Sequence, residues 1–471
     1  MKTEFVTNSK ILMNIYDQAL KGIQDNLRPV YGYPSPVINE GGMYHGIWLE
    51  GSPLMGVIYG EYDARAALHM HNAFIANQDP EGFIPPTIGA GDVKTGHIQT
   101  VVPFARTALM AVKQLDLTEL LLPAYEAAER YDEWLTRFRN RQGTDLVEVA
   151  CHWDTGHDNS PRHNGQPDHF PDYDTKKYPD CPYFLAPDLS ATKYGGRMAL
   201  AEMAEMLGRP KEAAMWKEKA ESLRAAIMKY TFDAESCMFY DRRDDGTLSP
   251  CKSDALTRVL QEHVPDQTLF DQIFERHINN PKEFWTPYPL ATIAVDDPLF
   301  VWDFPENNWG GAVQAHAAMR VPLWMEYYGK MAHERELMEK WVEAIARAGE
   351  FMQQMNPFSG EFNTTSSYSP AMCVLIDFVG RLYGVKACED GTFLWGCTKA
   401  PGASFSRYRT VIHRKRYSII NENNRAVISV NDEPLITVYG DARIRTDADG
   451  RLLEVYKTGI GGVITEKMRE V

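Results

Sequence analysis

The sequence lacks any CxxC pair among its seven cysteines, at 151, 181, 237, 251, 373, 388 and 397, and an odd count signals neither a zinc ribbon nor a closed disulfide framework. Reduced, mostly buried thiols are expected. It also lacks an apolar run long enough to cross a bilayer, and MKTEFVTNSKILMNIYDQAL carries no signal-peptide core, so the expectation is a soluble, cytoplasmic protein. Positive charge is scarce: 49 Lys and Arg face 64 Asp and Glu, a net charge of −15 that disfavours nucleic acid or an anionic membrane as partner. Neutral and cationic ligands remain open. No repeat of roughly 20 to 50 residues is visible, which argues against a solenoid.

What is present is a large apolar complement, 44% of 471 residues, enough for one large domain with an appendage or for two domains. Helical periodicity dominates to about residue 385. Asn8 or Ser9 can cap a first helix with an apolar stripe at Ile11, Ile15, Ala19, Ile23 and Leu27. Further helices are predicted near 60–78, 98–115, 119–140, 190–207, 210–230, 252–260, 266–277, 310–328, 332–355 and 367–384. In the 332–355 segment Leu337, Trp341, Ile345 and Ala348 form one stripe while Glu and Lys fill the rest. Such paired helices fit a closed toroid of hairpins. The connections 29–56, 79–97, 141–189 and 278–309 are long and rich in Pro, Gly and aromatics, a length that points to binding or catalysis. Gathered at one end of a toroid, they would wall a pocket.

After residue 400 the texture changes to β-branched and aromatic runs such as RTVIHRKRYSII, AVISV and LITVYG, separated by NENN, NDEP and DADG. A small antiparallel β module is predicted, with Arg414, Lys415 and Arg416 on a solvated edge strand. The expected division is 1–395 for the helical domain and 396–471 for the β module.

The stretch HWDTGHDNSPR, His152 to Arg162, concentrates two carboxylates, two imidazoles, an indole and a guanidinium. A capped turn fixed by Pro161 explains Asp-Asn-Ser-Pro. It does not explain the neighbouring indole and second carboxylate, which together suit a sugar platform and a proton donor. Glycoside hydrolysis commonly uses two carboxylates flanking the scissile bond, one of them protonated, and burial against an aromatic keeps a carboxyl protonated near neutral pH. The following HNGQPDHFPDYDTKKYPD adds His163, His169 and several Asp, but its spacing matches neither an HExxH helix nor an EF-hand loop. No metal and no other cofactor is expected.

WDTGHDNSPR resembles the W-(D/E)-(S/T)-G-x-D-N/F-S-(P/S)-R stretch of the (α/α)6-barrel glycosidases that include trehalase, mannosylglycerate hydrolase, glucosylglycerate hydrolase and glycoside hydrolase family 63. The resemblance implies a mainly α fold, an (α/α)6 toroid with the small β module appended, and Asp158 as general acid. Weaker similarities follow in the same order along the chain. GMYHGIWLEGSPLMG stands where the group carries W-D-S, with Glu50 in place of the Asp. EGFIPP and GHIQTVVP resemble G-x-I-P and S-Q-P-P, with Gln99 at the amide position. NNWGGAVQAHAAMRVPLW resembles W-R-G-P-V-W, keeping Trp309 and Gly311 but having Gly310 for Arg and Gln314 for the second Trp.

FMQQMNPFSGEF resembles E-x-Y-(N/D)-P-x-(S/T)-G, and there the group's catalytic base aligns with Gln353. An amide cannot accept the proton. Either Glu361 in the same loop supplies the base, which is the first choice, or Glu306 in DFPENNW does, or the activity has changed or been lost; Gln353 then serves as a substrate or water ligand. The implied reaction is an inverting α-glycosidase acting on a small soluble carbohydrate. Trp48, Trp153 and Trp309 are expected stacking surfaces or core residues. Asp154, His157, Asn159, Arg162, Glu50 and Gln99 are expected around the sugar, with Arg162 either gripping a substrate carboxylate or paired with Asp154. Competing readings are a sugar epimerase or isomerase, which would use His157 with His316, and a carbohydrate-binding protein that lost its base. The sequence leaves the sugar and the oligomeric state undetermined.

Overall fold

The structure is a computed structural model that describes residues 3–171, 173–422, 424–458 and 465–468. Its α-helices in chain order are α1 (Lys10–Asp25), α2 (Ser52–Gly60), α3 (Ala64–Ala76), α4 (Phe104–Leu115), α5 (Leu121–Phe138), α6 (Pro187–Met206) and α7 (Pro210–Thr231). They continue as α8 (Ala255–Gln261), α9 (Gln267–Ile273), α10 (Ala315–Arg320), α11 (Pro322–Met325), α12 (Met331–Ala348) and α13 (Ser369–Tyr383).

Two kinds of helix alternate. All of α2, nearly all of α13 and the first nine residues of α4 are buried, whereas α1, α5, α7 and α12 bury a single stripe. A helix apolar on every side must lie inside other helices, and an amphipathic one covers them. The contacts follow that division: α2 packs on α4, α4 on α6, α6 on α8, and α13 on both α10 and α2. Outside them α3 packs on α2, α5 on α4 and α6, α7 on α6, and α12 on α13.

The stripe of α1 is Leu12, Ile15, Tyr16, Ala19 and Ile23, so Ile15, Ala19 and Ile23 are buried as expected, while Ile11 is 68% exposed with Leu12 buried beside it and Leu27 begins a strand. On α12, Leu337, Trp341 and Ile345 are buried but Ala344 takes the place expected of Ala348, which is exposed. The last part of the expected loop 29–56 is the start of α2, hidden from a periodicity reading because SPLMGVIYG is apolar all round.

The long connections carry three small antiparallel sheets. Gly46–Trp48 pairs with Thr87–Gly89 and then Val93–Lys94. Glu148–Val149 pairs with Phe184–Leu185 and then Arg242–Arg243. Val313–Gln314 pairs with Gln354–Met355 and then Phe362–Asn363. Each sheet ties segments distant in sequence, which fixes loops that would otherwise be too long to hold a site.

The C-terminal strands form a six-stranded antiparallel sheet and a four-stranded one. The β region starts at Val385, before the expected boundary, and residue 395 lies within the strand Phe393–Cys397, which packs on α13. The six-stranded sheet takes an outer strand from the N-terminus, Glu4–Thr7 against Phe405–Ile412. The basic run is not on an edge. His413 and Arg414 make the hairpin turn, and Lys415–Glu422 lies between two partner strands, with Lys415 on Asp449 and Arg416 on Asp432. Among the described residues no helix is long and apolar enough to cross a membrane.

Candidate active site

The loop from Cys151 to Arg162 is held by partners outside it and shaped by its own turn residues. Asp154 is fully buried and anchors it, accepting from Arg139 at 2.7 Å and from the amides of Ile98 and Ala150 at 3.0 and 2.9 Å. Gly156 then takes a left-handed φ of +68°, and a Cβ there would stand 2.6 Å from Glu50 Oε2, so only glycine lets the chain lie on that carboxylate. Asn159, a residue that tolerates this region, is also left-handed at φ 55°. Ser160 and Pro161 open a short 3-10 turn, with the Ser160 hydroxyl accepting from the Arg162 amide. Arg162 is driven into the core, where its guanidinium donates to both oxygens of Asp188 and both of Asp241 at 2.6–2.8 Å.

With both flanks pinned, Asp158 projects into a cleft of about 710 Å³. Met43 and Tyr44, Trp153, Asp158, Asn159 and Asp168, Pro305 to Asn307, and Gln353, Thr364 and Thr365 form its walls. Four connections thus converge there. Asn307 donates to Asp158 Oδ2 at 2.9 Å, and the Trp309 amide donates to the Asp158 carbonyl at 3.1 Å. Burial, and then the negative charge of Glu50, push the Asp158 carboxyl up from 3.8 to about 7. It therefore holds a proton over much of the neutral range, as a proton donor must.

Beneath Asp158 lies a layer of buried charge. Glu50 accepts from Gln99 at 3.0 Å through one oxygen, while its other oxygen stands 4.0 Å from Arg258 and 3.8 Å from Arg320. Glu40 meets His316 at 3.2 Å, and burial raises its pKa despite that partner. Burial lowers the His316 pKa, but Glu50 and Glu40 more than offset it and the net shift is upward. His157 sits between Asp254, 2.7 Å from Nε2, and Arg162, 3.0 Å from Nδ1, and burial pulls it down to about 4.

The structure brings Trp153, Asp158, Asn159, Gln353 and Glu306 together in the cleft wall. It does not bring Asp154 or Arg162 there, because every oxygen of Asp154 is claimed by Arg139 and backbone amides, and Arg162 is saturated by Asp188 and Asp241 rather than by Asp154. His157 and His316, the pair an epimerase would use, are both buried in separate carboxylate contacts. Glu50 and Gln99 are buried and hold each other. Trp309 is a core ring beside His157 at 4.9 Å, and Trp48 packs edge-on to Tyr44. Trp153 has His169 stacked on it at 4.4 Å.

Glu361 is misplaced by the sequence reading. It closes a tight turn through its carbonyl, which accepts from the Asn356 amide, and its exposed carboxylate bonds Ser359 outside the cleft. Gln353, at the aligned position, accepts from Tyr44 at 3.1 Å and Thr364 at 3.3 Å. Tyr44, Asn307 and Asp168 were not singled out from sequence; Tyr44 and Asn307 sit inside GMYHG and ENNW, and only their convergence on Gln353 and Asp158 marks them.

Comparison with known proteins bears on the fold and the family. The Thermus thermophilus family 63 mannosylglycerate hydrolase, solved with glucose, superposes with a TM-score of 0.62 at 17% identity over 78% of this chain and 99% of its own. The same enzyme with Tris and D-glycerate gives 0.61. Neutral trehalase Nth1 from Saccharomyces cerevisiae gives 0.57 at 15% identity over 77% of this chain and 79% of its own. Residues 57–369 match the family described as the mannosylglycerate hydrolase MGH1-like glycoside hydrolase domain, and the chain belongs to that family of glycosidases.

Proposed function

We propose that the protein hydrolyses the glycosidic bond of a small soluble α-glycoside with inversion of configuration, on a toroid of six helical hairpins flanked by the C-terminal β module. Asp158 donates its proton to the glycosidic oxygen as the bond breaks. Glu306 removes a proton from the attacking water, in place of the glutamate whose position Gln353 occupies. The observation that carries the reading is the placement of Asp158: a carboxyl in a sugar-sized cleft, bonded by Asn307 and raised to about 7. What supports Glu306 is that it lines the same cleft and directly precedes Asn307, whereas Glu361 does neither. Inversion needs the two carboxyls about 6.5 to 9.5 Å apart so that water fits between them.

Tyr44, Asn159, Gln353 and the edge of Trp153 bind the sugar in this reading, with Gln353 orienting the water. A panel of gluco- and manno-configured α-glycosides tests it with the intact protein and with Asp158→Asn. Turnover by the former and a loss of roughly 10²–10⁴-fold in the latter is the expected result. Equal turnover by both removes Asp158 from the mechanism, and binding without turnover by either favours a carbohydrate-binding protein.

A further inference from the structure

We infer that the cleft selects glycosides whose leaving group is uncharged or cationic and turns away those carrying a carboxylate; this rests on the hydrolase reading above. Besides the acid Asp158, two carboxylates line the cleft, Asp168 and Glu306, and no Lys or Arg does so among the described residues. The nearest guanidiniums are committed elsewhere. Arg162 is saturated by two aspartates, and Arg258 and Arg320 are buried between Glu50 and Asp254, over the Trp309 ring. Glu40 and Glu50, behind the wall, add further negative potential.

An anionic aglycone would enter this field without a counter-charge, and like charges within a partly enclosed cleft repel more strongly than in bulk water. Asp168 is the carboxylate placed to act this way, since its side chain is 72% exposed and the His152 imidazole stands 3.9 Å from it. The cation able to oppose it is Lys94, whose ammonium lies 5.1 Å from the centre of the Trp153 ring at the rim. This sets the cleft apart from one suited to the D-glycerate that the Thermus enzyme holds.

The test uses matched α-glycosides of glycerol and of glycerate, in gluco and manno form, as substrates of the full chain at low ionic strength. Protonated Tris and D-glycerate serve as unreactive probes by ligand-observed NMR. The expected result is at least a tenfold preference in kcat/KM for the glycerol glycosides, binding of Tris over D-glycerate by a similar factor, and a preference that shrinks as salt is added. Asp168→Asn narrows the ratio, and Lys94→Ala widens it. Equal or faster cleavage of the glycerate glycosides, or D-glycerate binding that Lys94→Ala abolishes, overturns the inference. If no glycoside of either charge is cleaved, the hydrolase reading fails while the two probes still decide the charge preference; binding of neither probe counts against it.

Discussion

Asp158→Asn is expected to inactivate the protein and, above neutral pH, to stabilise it. The folded-state pKa of Asp158 is about 7 against an ordinary 3.8. The folded state thus holds the proton more tightly than the unfolded chain, and this contribution to stability is full below about pH 4 and lost as pH rises through about 7. Above that, the folded protein must keep an ionised carboxylate beside Glu50 in a desolvated wall. About three units at 1.36 kcal/mol each make that cost about 4 kcal/mol. Asparagine cannot ionise and can still accept from Asn307, so it escapes the cost. A domain of 150–250 residues shifts its Tm by about 2–4 °C per kcal/mol, and about twice that length halves the figure. Thermal unfolding followed by circular dichroism should show coincident midpoints near pH 4 and a variant higher by roughly 4–8 °C near pH 8.5. A variant equal to or below the parent near pH 8.5 refutes the claim that Asp158 is a strained, proton-holding carboxyl.

The same pKa predicts that kcat/KM declines as pH rises past about 7, because the essential acid is lost; a profile flat to pH 9 would contradict the role. Glu306→Gln should lower kcat by roughly 10²–10⁴-fold, with partial recovery on adding Gln353→Glu, whereas Glu361→Gln should leave kcat within about twofold; steady-state assays of the three variants check this. Arg162→Met removes the cation between Asp188 and Asp241 and leaves two buried carboxylates facing each other, which should cost about 3–5 kcal/mol in chemical denaturation.

Much of the helical framework was legible: α5, α7 and α12 bury one stripe at a 3.6-residue period, and although α6 and α13 are buried on most sides, α5, α6, α7 and α13 fall close to their expected ranges while α12 stops at Ala348, short of 355. The exception, α2, is apolar on every side and so carries no period to read. The 152–162 loop was legible as a motif, since each residue meets a local demand: an anchor at Asp154, glycine over Glu50 at 156, a left-handed Asn159, a capped turn at Ser160. What the loop does not disclose is its long-range partners. Arg162 finds Asp188 and Asp241, 26 and 79 residues away, and nothing in the spacing distinguishes them from Asp154. The choice between the two candidate bases depends on the same kind of long-range placement: Glu361 is near Gln353 in sequence, but the turn after Gln354–Met355 swings it outward, and the chain that returns to the cleft is the one carrying Glu306.

The central claim is that Asp158 and a second carboxylate of the same cleft invert the anomeric centre in one displacement. Proton NMR of the sugar released in the first seconds from an α-glycoside reads this directly. The account predicts that the β-anomer appears first and then mutarotates; an α-anomer appearing first would contradict it.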